Sequence, residues 1–247
     1  MSEFMSRRDI DFLLYDWLDV TALTARPRYA EHSKETFDGL LDLSADMAAK
    51  LYAPHNKLAD QNEPAIGADG RVDLIPEIGT AVRAFAEAGL VATTFDEQLG
   101  GMQLPHTIAR ASMVHFQAAN AATSSYSFLA TGNANLLAAY GTDEQIDTWV
   151  RPMLAGEVMG TMCLSEPQAG SSLADITTKA VPDENGDERT FRITGTKMWI
   201  SAGDHEIVDN IVHLVLAKAP GGGPGVKGIS LFIVPKVLPD GTRNDVA

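Results

Sequence analysis

The sequence predicts an α+β protein in which a block of helices is followed by a block of antiparallel strands. Two observations predict it. Apolar residues recur at helical spacing through the first two-thirds of the 247 residues, and from about Val158 they gather into short β-type runs separated by Gly, Pro, Asp and Asn. A helical block followed by a strand block argues against a doubly wound α/β sheet, in which the two alternate. With 45% apolar and 21% charged residues, the chain has ordinary globular usage and enough length to bury a core.

Taken in order, Ser33 can cap a helix whose apolar positions are Phe37, Leu40, Leu41, Met47, Ala48 and Leu51, with Pro54 as its stop. The polar stretch DQNEPAIGADGR then reads as a loop. Ile78, Val82 and Phe85 mark a second helix ended by Gly89, and Pro105 suits the first position of a third that runs through Ile108, Ser112 and Phe116. Tyr126, Leu129, Leu136, Leu137 and Tyr140 give a fourth, stopped by Gly141. Thr142 followed three residues later by Gln145 is a capping-box pattern, opening a helix with Ile146 and Trp149 on its apolar face. The strand runs are VMGTMCLS, ITTKAV, TFRITG, KMWIS, NIVHLVLAKA and GISLFIVP.

Composition excludes several function classes. Nineteen Lys and Arg stand against 33 Asp and Glu, giving a formal charge of -14 that repels a phosphate backbone and anionic lipid, so neither nucleic acid nor membrane is an expected partner. The single cysteine, Cys163, leaves no intramolecular disulfide and reads as a small buried hydrophobe in a reducing, cytoplasmic setting. Asp9, Asp11, Asp16 and Asp19 interrupt the N-terminal apolar runs, so no secretory h-region is expected there. Gly223, Gly225 and Gly228 form a literal G-x-G-x-x-G, but the β-branched ISLFIVP that follows is no helix to receive a pyrophosphate. A glycine-rich hairpin loop is the better reading. The six histidines never pair at helical ligand spacing, no metal site is expected, and His205 beside Glu206 reads as a solvated turn.

Two stretches carry chemistry: GTMCLSEPQAGSSLADITTKA, residues 160 to 180, and GTKMWISAGDHEIVDNIVHLVLAK, residues 195 to 218. Leu164-Ser165-Glu166-Pro167-Gln168-Ala169-Gly170-Ser171 and Lys197-Met198-Trp199-Ile200-Ser201 resemble the two signatures of the acyl-CoA dehydrogenase family. The segments RRDIDFLLYDWLDV, RPRYAEHSKETFDGLLD, GGMQLP and GGGPGVKGISLFIVPK are similar to the family's longer members that act on 3-methylmercaptopropionyl-CoA.

The resemblance implies an N-terminal extension (1–34), a helical domain (35–156) and a β-barrel-like middle domain (157–247), with the family's C-terminal helical bundle lying beyond. It implies FAD as cofactor, an acyl-CoA substrate dehydrogenated between Cα and Cβ, an electron-transfer flavoprotein as acceptor and a homo-oligomer; the alternatives are another short, medium or aryl-substituted acyl-CoA as substrate, or a catalytically inactive flavin- or partner-binding fragment. By carry-over, Met162, Leu164, Ser165, Gly170, Ser171, Trp199, Ile200 and Ser201 face the flavin cofactor, and Ser171 also faces the CoA portion of the substrate. Ser165 would donate to the pyrimidine side of the ring and Ser201 to N5, where charge builds as hydride arrives. Trp199 would pack on the ring. Ser172 stands where the family usually has Asp, and Met162 replaces an aromatic seen in many members. Glu166 is structural in the family, and the α-proton base comes from the bundle, so no catalytic residue is assigned within these 247 positions.

Overall fold

The computed structural model describes residues 4–184 and 186–246. A short helix α1 (Arg7–Asp11) leads into a π turn over Phe12–Trp17 and 3-10 turns to Tyr29. Arg7 fastens this extension to the next helix, reaching Asp11 at 2.7 Å, Asp38 at 2.8 Å and also Asp42.

Helix α2 (Lys34–Met47) opens on a capping box: the Ser33 hydroxyl accepts from Thr36 N–H at 3.3 Å, and Thr36 Oγ1 accepts from Ser33 N–H at 2.8 Å. Pro54 does not stop the helical course as expected. A π turn (Ala48–Tyr52) runs into a 3-10 turn (Ala53–His55), where Pro54 occupies a first-turn position whose N–H has no helical partner to lose, and α3 (Asn56–Gln61) follows. The polar loop carries only the two-residue strands β1 (Ala65–Ile66) and β2 (Val72–Asp73).

Helices α4 (Pro76–Glu87) and α5 (His106–Ala119) fall where the periodicity places them, with Gly89 in the left-handed region after α4 and Pro105 as the residue just before α5. Tyr52, Phe85 and Phe116 meet edge-to-face at 4.9 Å and centre the helical core. Helix α6 (Ala121–Tyr140) starts five residues earlier than the aromatic spacing suggests, because the buried Asn120 caps it: Oδ1 accepts from Thr123 N–H at 3.0 Å, while Nδ2 donates to Tyr52 O at 3.2 Å.

The buried stripe of α6 is Thr123, Ser124, Ser127, Ala130, Asn133, Ala134 and Leu137, whereas Tyr140 is 87% exposed. Small residues let this helix approach β3 (Val158–Cys163) closely. A Cβ at Gly160 would lie 2.5 Å from the Asn133 side chain, whose Nδ2 donates to Val212 O at 2.8 Å. The Thr142–Gln145 capping box forms as read, opening α7 (Asp143–Gln145); a π turn with the buried Trp149 leads into α8 (Arg151–Ala155).

The strand block is β3, β4 (Lys179–Pro182), β5 (Phe191–Thr194), β6 (Asn210–Lys218) and β7 (Ile229–Pro235). The sheet is mixed, not antiparallel. β6 is central: β3 runs parallel to it from Val158↔Asn210 to Cys163↔Val215, and β7 runs antiparallel on its other side. The parallel pair arises because the connection between β3 and β6 is a long crossover that carries the antiparallel β4–β5 hairpin; β4 touches β6 only at Lys179↔Lys218. Among the described residues the sheet stays open rather than closing into a barrel. KMWIS forms no strand; residues 195–200 are irregular. The glycine-rich segment is the hairpin connection between β6 and β7, as its sequence implies.

Candidate functional site

The two signature stretches meet at the end of β3. Met162 points to the exposed side of that strand, while Thr161 and Cys163 face inward. The chain then turns sharply over Pro167 and Gln168, since Glu166 N–H donates to Ala169 O at 2.7 Å and Ala169 N–H returns to Glu166 O at 3.1 Å.

Beneath this turn Glu166 is an anchor. Its side chain is 1% exposed and accepts five hydrogen bonds. Oε1 takes Lys197 Nζ at 2.8 Å and Thr178 N–H at 3.0 Å; Oε2 takes Thr177 N–H at 2.6 Å, Thr177 Oγ1 at 2.9 Å and Gln168 Nε2 at 2.7 Å. Burial alone would raise its pKa, but the Lys197 ammonium and the Thr177 and Thr178 donors outweigh that and hold the carboxyl well below the usual carboxylate range. A carboxylate so satisfied stays ionised and has no lone pair directed outward. In this fold it anchors the turn after β3 to Thr177, Thr178 and Lys197.

Lys197 joins the second signature to the first, donating also to Leu164 O at 3.0 Å, while Met198 N–H donates to Ser165 O at 3.0 Å. These bonds replace the strand expected for KMWIS: the segment pairs with the turn after β3 through one backbone bond and a lysine, not through a ladder. They set Leu164 and Ser165 alongside Met198 and Trp199.

Trp199 is the unusual residue of the site. Its φ is +62°, a region bulky side chains rarely adopt, and Ala202 three residues on has φ +53°. The indole is 82% exposed. A left-handed backbone costs on the order of 1–3 kcal/mol and clusters at sites with a task beyond folding. Among the described residues the hydroxyls of Ser165 and Ser201 have no hydrogen-bond partner, which leaves both as available donors.

Gly170 and Ser171 lie exposed past the turn, and a Cβ added at Gly170 would meet no protein atom within 4 Å. Packing within this chain therefore gives no reason for glycine there. A ligand seated against that backbone would. Leu164 and Ile200 are half-buried under the same surface.

Two features of the site escaped sequence reasoning. Thr177 and Thr178, read only as part of a strand run, supply three of the five bonds to Glu166. His205 is no solvated turn. It is fully buried, its Nδ1 accepts from Ile207 N–H at 3.3 Å, and its ring meets Tyr126 of α6 edge-on at 5.5 Å. Burial, reinforced by the nearby Lys236 charge, pushes its pKa down to about 4, so the ring is neutral at pH 7. Cys163 is buried as expected, and burial raises its thiol pKa. No group of three or more His, Cys, Asp or Glu among the described residues is arranged to hold a metal.

The profile of the acyl-CoA dehydrogenase N-terminal domain matches residues 39–157, and that of the acyl-CoA dehydrogenase middle domain matches residues 161–246. The chain belongs to the acyl-CoA dehydrogenase family. Among acyl-CoA dehydrogenase relatives, the 3-methylmercaptopropionyl-CoA dehydrogenase of Ruegeria pomeroyi is 35% identical over 234 residues, covering 94% of this chain and 39% of the relative. A broad-specificity linear acyl-CoA dehydrogenase of Mycobacterium tuberculosis is also 35% identical, over 257 residues, covering 100% of this chain and 41% of the relative. The chain thus spans about two-fifths of the length of these curated relatives. The solved butyryl-CoA dehydrogenase of Megasphaera elsdenii shares the acyl-CoA dehydrogenase fold with a TM-score of 0.67 at 20% identity, covering 84% of this chain and 50% of that one. No helix among the described residues is long and apolar enough to cross a membrane.

Proposed function

We propose that this chain forms the cofactor-facing part of an FAD-dependent acyl-CoA dehydrogenase, which removes hydrogens from Cα and Cβ of an acyl thioester. A bound FAD supplies the acceptor for the β-hydride. The observation that carries the reading is the exposed Trp199 indole on a strained backbone, set beside the unpartnered hydroxyls of Ser165 and Ser201.

Each residue then has a defined task. The indole offers a flat apolar wall that excludes water from one side of the ring. Ser165 and Ser201 are neutral donors for the positions where negative charge grows during hydride transfer, and such donors act most strongly where water is excluded. Met162, Leu164 and Ile200 supply the apolar lining between them. Gly170 and Ser171 bring open backbone and a hydroxyl to the pyrophosphate, and Ser171 also to the CoA portion. Glu166 and Lys197 move no proton; they hold the two signature segments in register.

The thioether-bearing 3-methylmercaptopropionyl-CoA is the substrate this reading favours, supported by the similarity to the Ruegeria relative and by the adaptable Met162 at the exposed side of β3. A short or medium linear acyl-CoA is the second reading, supported by the equal identity to the broad-specificity relative. The acceptor is an electron-transfer flavoprotein, the functional unit a homo-oligomer, and the setting cytoplasmic.

The test is flavin binding. Trp199→Ala combined with Ser201→Ala should weaken FAD binding at least about tenfold, followed by quenching of flavin fluorescence on titration. An unchanged dissociation constant in the double variant would remove both residues from the ring. Turnover of 3-methylmercaptopropionyl-CoA against butyryl-CoA, measured on the full coding product, separates the two substrate readings.

A further inference from the structure

The loop that follows Ser201 is tied down by a cation that no motif singles out. Lys236, one residue past β7, has a side chain only 6% exposed. Its ammonium meets Asp204 Oδ1 and Glu206 Oε1 at 2.8 Å each and donates to the carbonyl of His205 at 3.0 Å. Three acceptors from three consecutive residues thus converge on the three protons of one ammonium. Its backbone is equally fixed: β7 pairs along β6 as far as Val212↔Pro235, and Lys236 N–H extends that ladder to Ile211 O at 2.8 Å.

Other elements close on the same loop. Tyr126 of α6 packs edge-on against the His205 ring, Arg83 of α4 donates to Ile207 O at 3.1 Å, and Ile207 is buried with Ile78, Val82 and Met159. Upstream, Lys197 holds the segment to Leu164 and Glu166. Between the two lysine anchors lie Met198 to Gly203, with both left-handed residues, Trp199 and Ala202. Strained backbone persists only where its surroundings over-determine it. Freed at one end, this stretch can relax to ordinary dihedrals and carry the indole and the Ser201 hydroxyl with it.

We infer that Lys236 is a positioning residue for the Trp199–Ser201 face, clamping the downstream end of its loop through Asp204, the His205 carbonyl and Glu206. The inference rests on the cofactor reading of that face, but among the described residues Lys236 itself makes no hydrogen bond or ion pair with Trp199 or Ser201. Without the ammonium, the Asp204 and Glu206 carboxylates and the His205 carbonyl lose the donor they share; only the His205 N–H, at 2.9 Å from Asp204 Oδ1, remains among them, and the two carboxylates repel one another. The Asp204 carboxyl already shows the balance: burial would raise its pKa, and the Lys236 hydrogen bond and charge bring it below its usual value.

The experiment compares backbone hydrogen exchange and FAD titration for the wild type, Lys236→Met and Lys236→Arg, with Ser44→Ala as a control. Ser44 is buried in the helical core, bonded to Ser112 at 2.6 Å, and its loss weakens the fold away from this loop. Lys236→Met should raise exchange over residues 199–206 by about tenfold or more relative to β6 and α6, and weaken FAD binding by a similar factor. Lys236→Arg, which restores a cation with several donors, should recover most of both. Ser44→Ala should leave both near wild type. Should Lys236→Met fail to fold, Asp204→Asn gives the same test with an effect of about threefold. Exchange over 199–206 that stays at the wild-type level, or rises no more than in β6 and α6, overturns the inference. So does an FAD affinity that Lys236→Met leaves untouched. If exchange responds as described but the wild type binds no FAD, the clamp stands and the cofactor reading falls.

Discussion

Glu166→Gln should cost about 3–5 kcal/mol of stability, the usual penalty for breaking a buried ion pair by removing one partner. The magnitude follows from the bonds. The carboxylate accepts two donors on Oε1 and three on Oε2, so an amide, with one oxygen, must turn its NH2 toward at least two of them. Lys197, with a side chain 10% exposed, meanwhile keeps its charge and loses its counter-ion. For a chain of this length each kcal/mol moves the melting temperature by about 2–4 °C, so the expected fall is on the order of 10 °C. Thermal melts and urea midpoints of Glu166→Gln, Lys197→Met and the double variant measure it. The double should recover about 2 kcal/mol relative to additivity, because the second change removes the charge the first leaves stranded. The pH dependence has a fixed sign. A carboxyl held below its unfolded value stabilises fully above pH of about 4.5 and loses that contribution as pH falls further, and the glutamine variant should lack this part of the acid sensitivity. Glu166→Gln within 1 kcal/mol of wild type would refute the anchoring role.

Further outcomes concern other parts of the fold. His205, with a folded pKa near 4 against 6.5 for the free side chain, binds its proton more readily when unfolded, so stability is full above pH 6.5 and declines toward pH 4 by up to about 3 kcal/mol. Urea midpoints at pH 7 and pH 5 should differ less in His205→Gln than in wild type; equal differences would contradict a buried neutral ring. Gly160→Ala drives a methyl into Asn133 and should cost about 1–3 kcal/mol by urea unfolding, and Gly160→Ala with Asn133→Ala should cost less than the sum of the two single changes, since the second removes the clash along with its own bond to Val212 O. Trp199→Gly relieves a left-handed backbone and removes little buried area, so its melting temperature should match or exceed wild type while FAD binding weakens. A loss above about 2 kcal/mol would mean that the indole packs in the fold. Ser165→Ala should slow flavin reduction in single-turnover mixing with substrate more than it raises the Michaelis constant, because its hydrogen bond strengthens as charge develops.

The sequence by itself determined the local decisions. The Thr142–Gln145 capping box, the Gly89 stop and the helical stripe through Phe37, Leu40 and Leu41 depend on neighbours within a few residues, and each forms as read. The family was legible too, because the stretches 164–171 and 197–201 carry their residue types at fixed spacing. Tertiary structure decided everything that depends on residues far apart in the chain. The parallel pairing of β3 with β6 follows from what the crossover between them must carry, which no strand pattern encodes. The irregular path of Lys197–Ser201 exists because Lys197 finds Leu164 and Glu166 more than thirty positions away, and that contact sets Trp199 in a conformation its own propensity disfavours. His205 read as solvated because the adjacent Glu206 is polar. Only the fold brings Tyr126, Arg83 and Lys236 around its loop and turns a charged run into a buried clamp, since burial is a property of the assembled chain and not of its local composition.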